Sequence, residues 1–131
     1  MGLDLELMAV RHEREFVAGE TVYSYDNLNF DRDYTVFGQI ADPNGEPIVS
    51  EQGVPIVVRT LPLPRGLKLR TFDGERARTT NKNPYGNEMV YALAKDMRKI
   101  KLPRNASQRN RAIMAYIRNL PEETPVVLRL C

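Results

Sequence analysis

The sequence predicts an α+β domain: a small, mainly antiparallel sheet with two C-terminal helices packed on one face and a closing C-terminal strand. Three observations carry that expectation. Near the start, Leu3, Leu5 and Leu7 alternate with Asp4 and Glu6, and residues 20–25, ETVYSY, are β-branched and aromatic. Late in the chain, apolar residues recur at helical spacing. Residues 124–130, TPVVLRL, then make an apolar run short enough to lie inside a sheet. The 131 residues are 42% hydrophobic and 27% charged, the balance of one globular domain spanning 1–131.

The first strand is expected over residues 3–10. The polar run RHEREF that follows reads as a loop or short helical turn, and ETVYSY as the second strand. Tyr34, Phe37 and Ile40 recur every three residues behind Asp31 or Asp33 as N-cap, which predicts a short helix. Thr35, Val36 and Gly38 pull towards strand. ADPNGEP is a turn by its chemistry, because Pro sets one φ and Asn-Gly tolerates the left-handed region. A short strand follows from Ile56 to Thr60, Pro62 and Pro64 lead the chain off the sheet, and a hairpin turns at Asp73-Gly74.

Met89, Val90, Leu93, Met97 and Ile100 form one stripe, so a helix capped by Asn87 is expected over 87–100 and stopped by Pro103. A second helix runs from Asn105 or Ser107 to Leu120, with Ile113, Tyr116, Ile117 and Leu120 inward and Pro121 ending it. The expected core is Leu3, Leu5, Leu7, Val22, Tyr34, Phe37, Ile40, Ile56, Val58, Met89, Leu93, Met97, Ile113, Ile117, Leu120, Val126 and Leu128.

Several function classes fall away. No stretch approaches the roughly 20 apolar residues of a membrane span, so no membrane partner is expected. The opening MGLDLELMAVRHERE lacks the basic flank and apolar middle of a secretory signal, so a cytoplasmic location is expected. The single cysteine, Cys131, and single histidine, His12, supply neither a disulfide nor a zinc set, and His12 reads as a polar residue in a charged turn. No glycine-rich phosphate loop occurs. Asn105-Ala106-Ser107 fits a glycosylation sequon but is discounted without a secretory signal.

Carboxylates are the abundant acid–base groups. Asp26, Asp31 and Asp33 lie close in sequence, without the Gly and Glu of a calcium loop, and capping or solvation explains Asp31 and Asp33. Asp4 and Glu6 share a strand face. They are the remaining candidates for a hard divalent cation, and on them would rest a carboxylate/metal-dependent hydrolase. No cofactor is otherwise expected, and binding is favoured over catalysis.

Charge is the informative feature. The net charge is +2, but residues 1–60 carry 4 Lys+Arg against 11 Asp+Glu, a balance of −7, and residues 61–131 carry 15 against 6, a balance of +9. Either the halves neutralise one another, within the fold or head-to-tail in a homo-oligomer, or the basic half offers a positive face to an anionic partner. Lys95, Arg98, Lys99, Lys101, Arg104, Arg109 and Arg111 fall within one stretch that contains a single acid, Asp96. Such a cluster neutralises phosphates, and Arg76, Arg78 and Lys82 are candidates to extend it. The structural alternative is a solvated face whose Lys95 to Lys99 favour a helix C-terminus. Stacking aromatics nearby are few: Tyr85, Tyr91 and Tyr116.

The opening Met1, Gly2 and Asp4, the set Tyr34, Phe37 and Ala41, and the step Pro64-Arg65-Gly66-Leu67 resemble a family of small uncharacterised phage and bacterial proteins that open Met-Gly-Cys-Asp-Ile-His. Residues 107–130 are similar to that family's closing helix and strand. Leu3 and Glu6 stand where the family has Cys and His, so chemistry resting on those two does not transfer. The resemblance implies a phage accessory protein in the cytoplasm of a bacterial host. From the basic stretch, the expected function is binding of nucleic acid or another polyanionic surface through the basic face. The alternative is inhibition of a host defence protein through Asp26, Asp31, Asp33, Asp42 and Glu46.

Overall fold

Alternating apolar residues at the start of the chain make a strand because one side of it can be buried while the other meets polar neighbours. The computed structural model describes residues 4–17, 20–63, 68–73, 76–80 and 89–130, with side chains described within 4–11, 25–63 and 89–130. Strand β1, Leu5–Val17, pairs antiparallel with β2, Glu20–Asn27, and the register shifts between Val10 and Arg14. RHEREF is thus strand rather than loop or helical turn. The backbone of its second half is paired, Arg14 with Tyr23 through Phe16 with Thr21, so the ladder holds a sequence without alternation. His12 accordingly lies in a strand and not in a turn.

On its other side β1 pairs with β9, Pro125–Leu130, from Leu5↔Leu130 to Ala9↔Val126. Strand β9 then pairs with β8, Val90–Leu93, and β8 with β5, Leu61–Pro62. Beyond β2 lie β6, Lys68–Asp73, and its hairpin partner β7, Arg76–Thr80. The sheet among the described residues therefore runs β5-β8-β9-β1-β2-β6-β7, and only the β2–β6 contact is parallel. Pro62 stays on the sheet at the edge strand, where a missing N–H costs no ladder bond.

The sheet buries both faces. Leu5, Leu7, Ala9, Ala92, Val126 and Leu128 join the main core, whereas Met8, Val10, Met89 and Val127 form a smaller cluster. Helix α3, Gln108–Asn119, closes the main core with Ile113, Met114 and Ile117, each worth about 1.5–3 kcal/mol of burial. Its N-cap is Ser107, whose Oγ accepts from the Asn110 N–H at 3.1 Å.

Between β2 and β5, the ambiguous segment is both things its residues favour. Asp33 caps the single turn α1, Tyr34–Phe37, by accepting from Thr35 N–H, and β3, Ile40–Ala41, follows to pair in parallel with β4, Val58–Arg59. The intervening ADPNGEP turn is held by Asp42, whose Oδ1 accepts from Asn44 and Glu46 N–H, and Gly45 takes φ 91°.

The helix expected over 87–100 is instead β8 followed by one turn, α2, Ala94–Met97. Val90 and Tyr91 suit a pleated surface, and β8 finds partners on both sides; that pairing decides a stretch whose spacing is acceptable to either period. The two C-terminal helices of the expected architecture are thus α2, a single turn, and the longer α3. Asn87 lies outside the described residues, and α2 starts behind Leu93 with no side-chain cap. In the expected core, Ile56 is 44% exposed, while Tyr34, Leu93 and Leu120 are half-buried; Tyr116, expected to face inward from the second helix, is 42% exposed. Leu3 and the side chain of Val22 lie outside the described residues.

Candidate anion-binding face

The segment between α2 and α3 is set by a buried amide. Gln39 donates from Nε2 to the carbonyl of Lys101 at 2.7 Å and to that of Thr35 at 2.9 Å, and its Oε1 accepts from Lys101 N–H at 2.8 Å. Ile100 is buried beside this anchor, so the backbone is fixed on the core and the Lys101 side chain is left exposed. Arg98 donates to the carbonyl of Leu120 and lies 3.7 Å from Glu122. On α3, Arg111 donates to the carbonyls of Arg104 at 2.6 Å and Ala106 at 3.2 Å, which ties the preceding turn to the helix. Arg118 follows Arg111 by seven residues, two helical turns along the same flank.

These elements border an open cleft of about 730 Å³ lined by Arg98, Lys99, Lys101, Arg111 and Arg118, with Ile100 and Leu102 as its apolar members. Among the described residues, no carboxylate lines it. Among the described residues, too, Lys101, Arg111 and Arg118 have no ion-pair partner, whereas Lys99 lies 3.3 Å from Asp96. Five positive groups around one concavity concentrate positive potential, which a low-dielectric wall strengthens.

Four of the seven basic residues singled out from the sequence thus come together: Arg98, Lys99, Lys101 and Arg111. Lys95 is turned to Glu123, 2.9 Å from its carboxylate, and that hydrogen bond raises the ammonium pKa. Arg104 is exposed outside the lining, and Arg109 donates to the Asn29 carbonyl at 2.7 Å on another side of α3. Arg118 lies beyond the basic run, and its seven-residue spacing from Arg111 on a predicted helix is the sequence signal for its place. Lys82 and the side chains of Arg76 and Arg78 lie outside the described residues, as do Cys131 and the His12 side chain.

The acidic candidates take local structural roles. Asp33 caps α1, Asp42 holds its turn, and Asp31 receives Asn110: its N–H donates to Asn110 Oδ1 at 2.7 Å and its carbonyl accepts from Nδ2 at 3.2 Å. Glu46 is exposed beside the Asp42 turn. Asp26 pairs with Arg11 and accepts from the Tyr116 hydroxyl at 2.8 Å. Asp4 is held by Arg32 at 3.0 Å and Glu6 by Arg129 at 2.8 Å, so arginines occupy the two carboxylates considered for a metal. Among the described residues no cluster of three or more His, Cys, Asp or Glu could hold an ion.

The Arg11 hydrogen bond lowers the Asp26 pKa, burial opposes it, and the Tyr116 hydrogen bond lowers it further. A carboxylate with a lowered folded pKa stabilises the fold above its unfolded value, near 3.8, and that contribution disappears as pH falls through the folded value. Thermal melts of Asp26→Asn and the wild type from pH 6 down to pH 2 are expected to converge at the acid end. A gap that stays constant across the range would show that the pairing contributes nothing through charge.

The chain matches no family model, no curated protein and no solved structure. Among the described residues, no helix is long and apolar enough to cross a membrane.

Proposed function

We propose that this protein works by binding a polyanion, and that the cleft between the 98–102 segment and α3 takes the phosphates of a nucleic acid backbone. The observation that carries this reading is the convergence of five cations, from two separate elements, on a cleft with no carboxylate among its described lining residues. A solvated helix face explains charges on one element. It does not explain why Lys101, anchored through Gln39, and Arg118, a helical residue, border the same concavity. Cations arranged this way neutralise phosphates without reading bases, so the reading implies affinity for many sequences and strong dependence on salt. The phage setting implied by the opening and middle motifs is compatible with such a partner and rests on those motifs alone.

Changing Lys99, Lys101 and Arg118 together to Gln tests the reading. Stability is expected to stay within about 1 kcal/mol, because exposed charges contribute little to folding. Affinity for an arbitrary duplex and an arbitrary single strand is expected to fall. On the duplex, the slope against log salt flattens by roughly 0.9 for each phosphate that is no longer neutralised. A triple variant that binds as tightly, with the same slope, would contradict this reading. Arg111 is left in place because it holds the turn before α3.

A further inference from the structure

Helix α3 has a second concavity on its other flank. A groove of about 610 Å³ is lined there by Tyr116, Arg109, Gln108 and Asn27 together with Leu28, Ala112 and Ile113. Arg109 and Tyr116 are seven residues apart, as are Arg111 and Arg118 on the basic flank. Between the two flanks the outer ridge is Gln108, Ala112, Ala115 and Asn119, all exposed and none charged. A ligand crossing this ridge meets neutral side chains and has cations on either side.

Tyr116 is unusual among the described residues as a large aromatic side chain that is 42% exposed. It is also fixed: its hydroxyl donates to Asp26 Oδ2 at 2.8 Å, and Arg11 pairs with the same carboxylate. Arg11 compensates the Asp26 charge, so the carboxylate behind the ring does not oppose an approaching phosphate as a bare anion. An exposed ring held by a tether at its far end presents a face without the entropy cost of ordering it on binding. Beside it stand a guanidinium and two amides, groups that contact a phosphate and a base edge.

We propose that the nucleic acid is taken as a single strand laid across α3, with one base stacked on Tyr116 and the adjoining phosphates on Arg109 and in the basic cleft. This rests on the polyanion reading above and narrows it to one class of ligand. A duplex keeps its base faces inside the stack and has none to offer the ring, whereas a single strand exposes them. The Tyr116 contribution is therefore specific to single strands, while the cleft serves both forms.

The test measures affinity for a short mixed-sequence single strand and for the duplex of the same sequence, using wild type, Tyr116→Phe, Tyr116→Leu and Tyr116→Ala. Removing one base stack is expected to weaken single-strand binding by about 5- to 150-fold in the Ala variant. The Leu variant, which keeps apolar area but no π face, is expected to lose nearly as much. The Phe variant retains most of the affinity, the duplex is unaffected throughout, and the salt slopes do not move. Equal affinities across all four proteins, or equal losses on duplex and single strand, would overturn the stacking proposal while leaving the cleft intact. Wild-type protein that binds neither form, or binds without salt dependence, would overturn the polyanion reading and this inference with it.

Discussion

Deleting residues 1–8, or residues 125–131, is expected to abolish the cooperative thermal transition. Strands β1 and β9 lie side by side in the interior of the sheet, with β8 beyond one and β2 beyond the other. Removing residues 1–8 strips Leu5, Leu7 and Met8, three of the most deeply buried side chains, and leaves the β1-facing edge of β9 unpaired along most of its length. Truncating one such side chain to Ala costs about 2–5 kcal/mol, so losing three with their backbone approaches or exceeds the roughly 5–15 kcal/mol that holds a domain folded. Removing residues 125–131 deletes the strand that links β8 to β1 and takes away Val126, Val127 and Leu128. Circular dichroism melts of both truncations read the result. A sharp transition near the wild-type midpoint in either one would refute this sheet order.

Replacing Gln39 by Met is expected to cost about 2–4 kcal/mol, since each buried polar group left without its partner costs roughly 1–3 kcal/mol. Met is close in length and fills the same volume, so packing is preserved. What disappears is the pair of hydrogen bonds to Lys101 and the bond to the Thr35 carbonyl. A urea titration should show a lower midpoint with an unchanged m-value. Affinity for a polyanion should also fall although no charge has been removed, because the 98–102 wall of the cleft has lost its anchor. Unchanged stability would mean that water replaces the amide at no cost, and that Lys101 is positioned by something else.

What could be read from the sequence was what short-range chemistry specifies. Ser107 before α3 and Pro121 after it mark that helix, Asp73-Gly74 marks the β6–β7 hairpin, and TPVVLRL marks an interior strand. Where distant partners decide, local spacing does not specify the structure. Met89 to Leu93 satisfy a helical stripe and a strand about equally, and pairing with β5 and β9 settled the matter. The polar half of β1 is strand because β2 supplies its ladder, which no alternation in RHEREF announces. Gln39 is an ordinary polar residue until Lys101, 62 positions later, is brought to it. Asn110 plays the same part for Asp31 across 79 positions. The basic run was legible as charge, but its division by α3 into a cleft on one flank and an Arg109–Tyr116 groove on the other follows from the burial of Ile113, Met114 and Ile117.

A comparison at equal net charge tests the cleft most directly. Lys101→Gln with Arg118→Gln removes two cations from its lining, and Arg32→Gln with Arg59→Gln removes two cations that do not line it. Affinity for one single strand would be measured across a salt series for both double variants and the wild type. A positive cleft predicts that the first pair flattens the slope of log affinity against log salt by about 0.7 for each phosphate that is no longer neutralised, while the second pair keeps the wild-type slope. Equal slopes for the two double variants would show that only overall charge attracts the polyanion, and would contradict the assignment of this face.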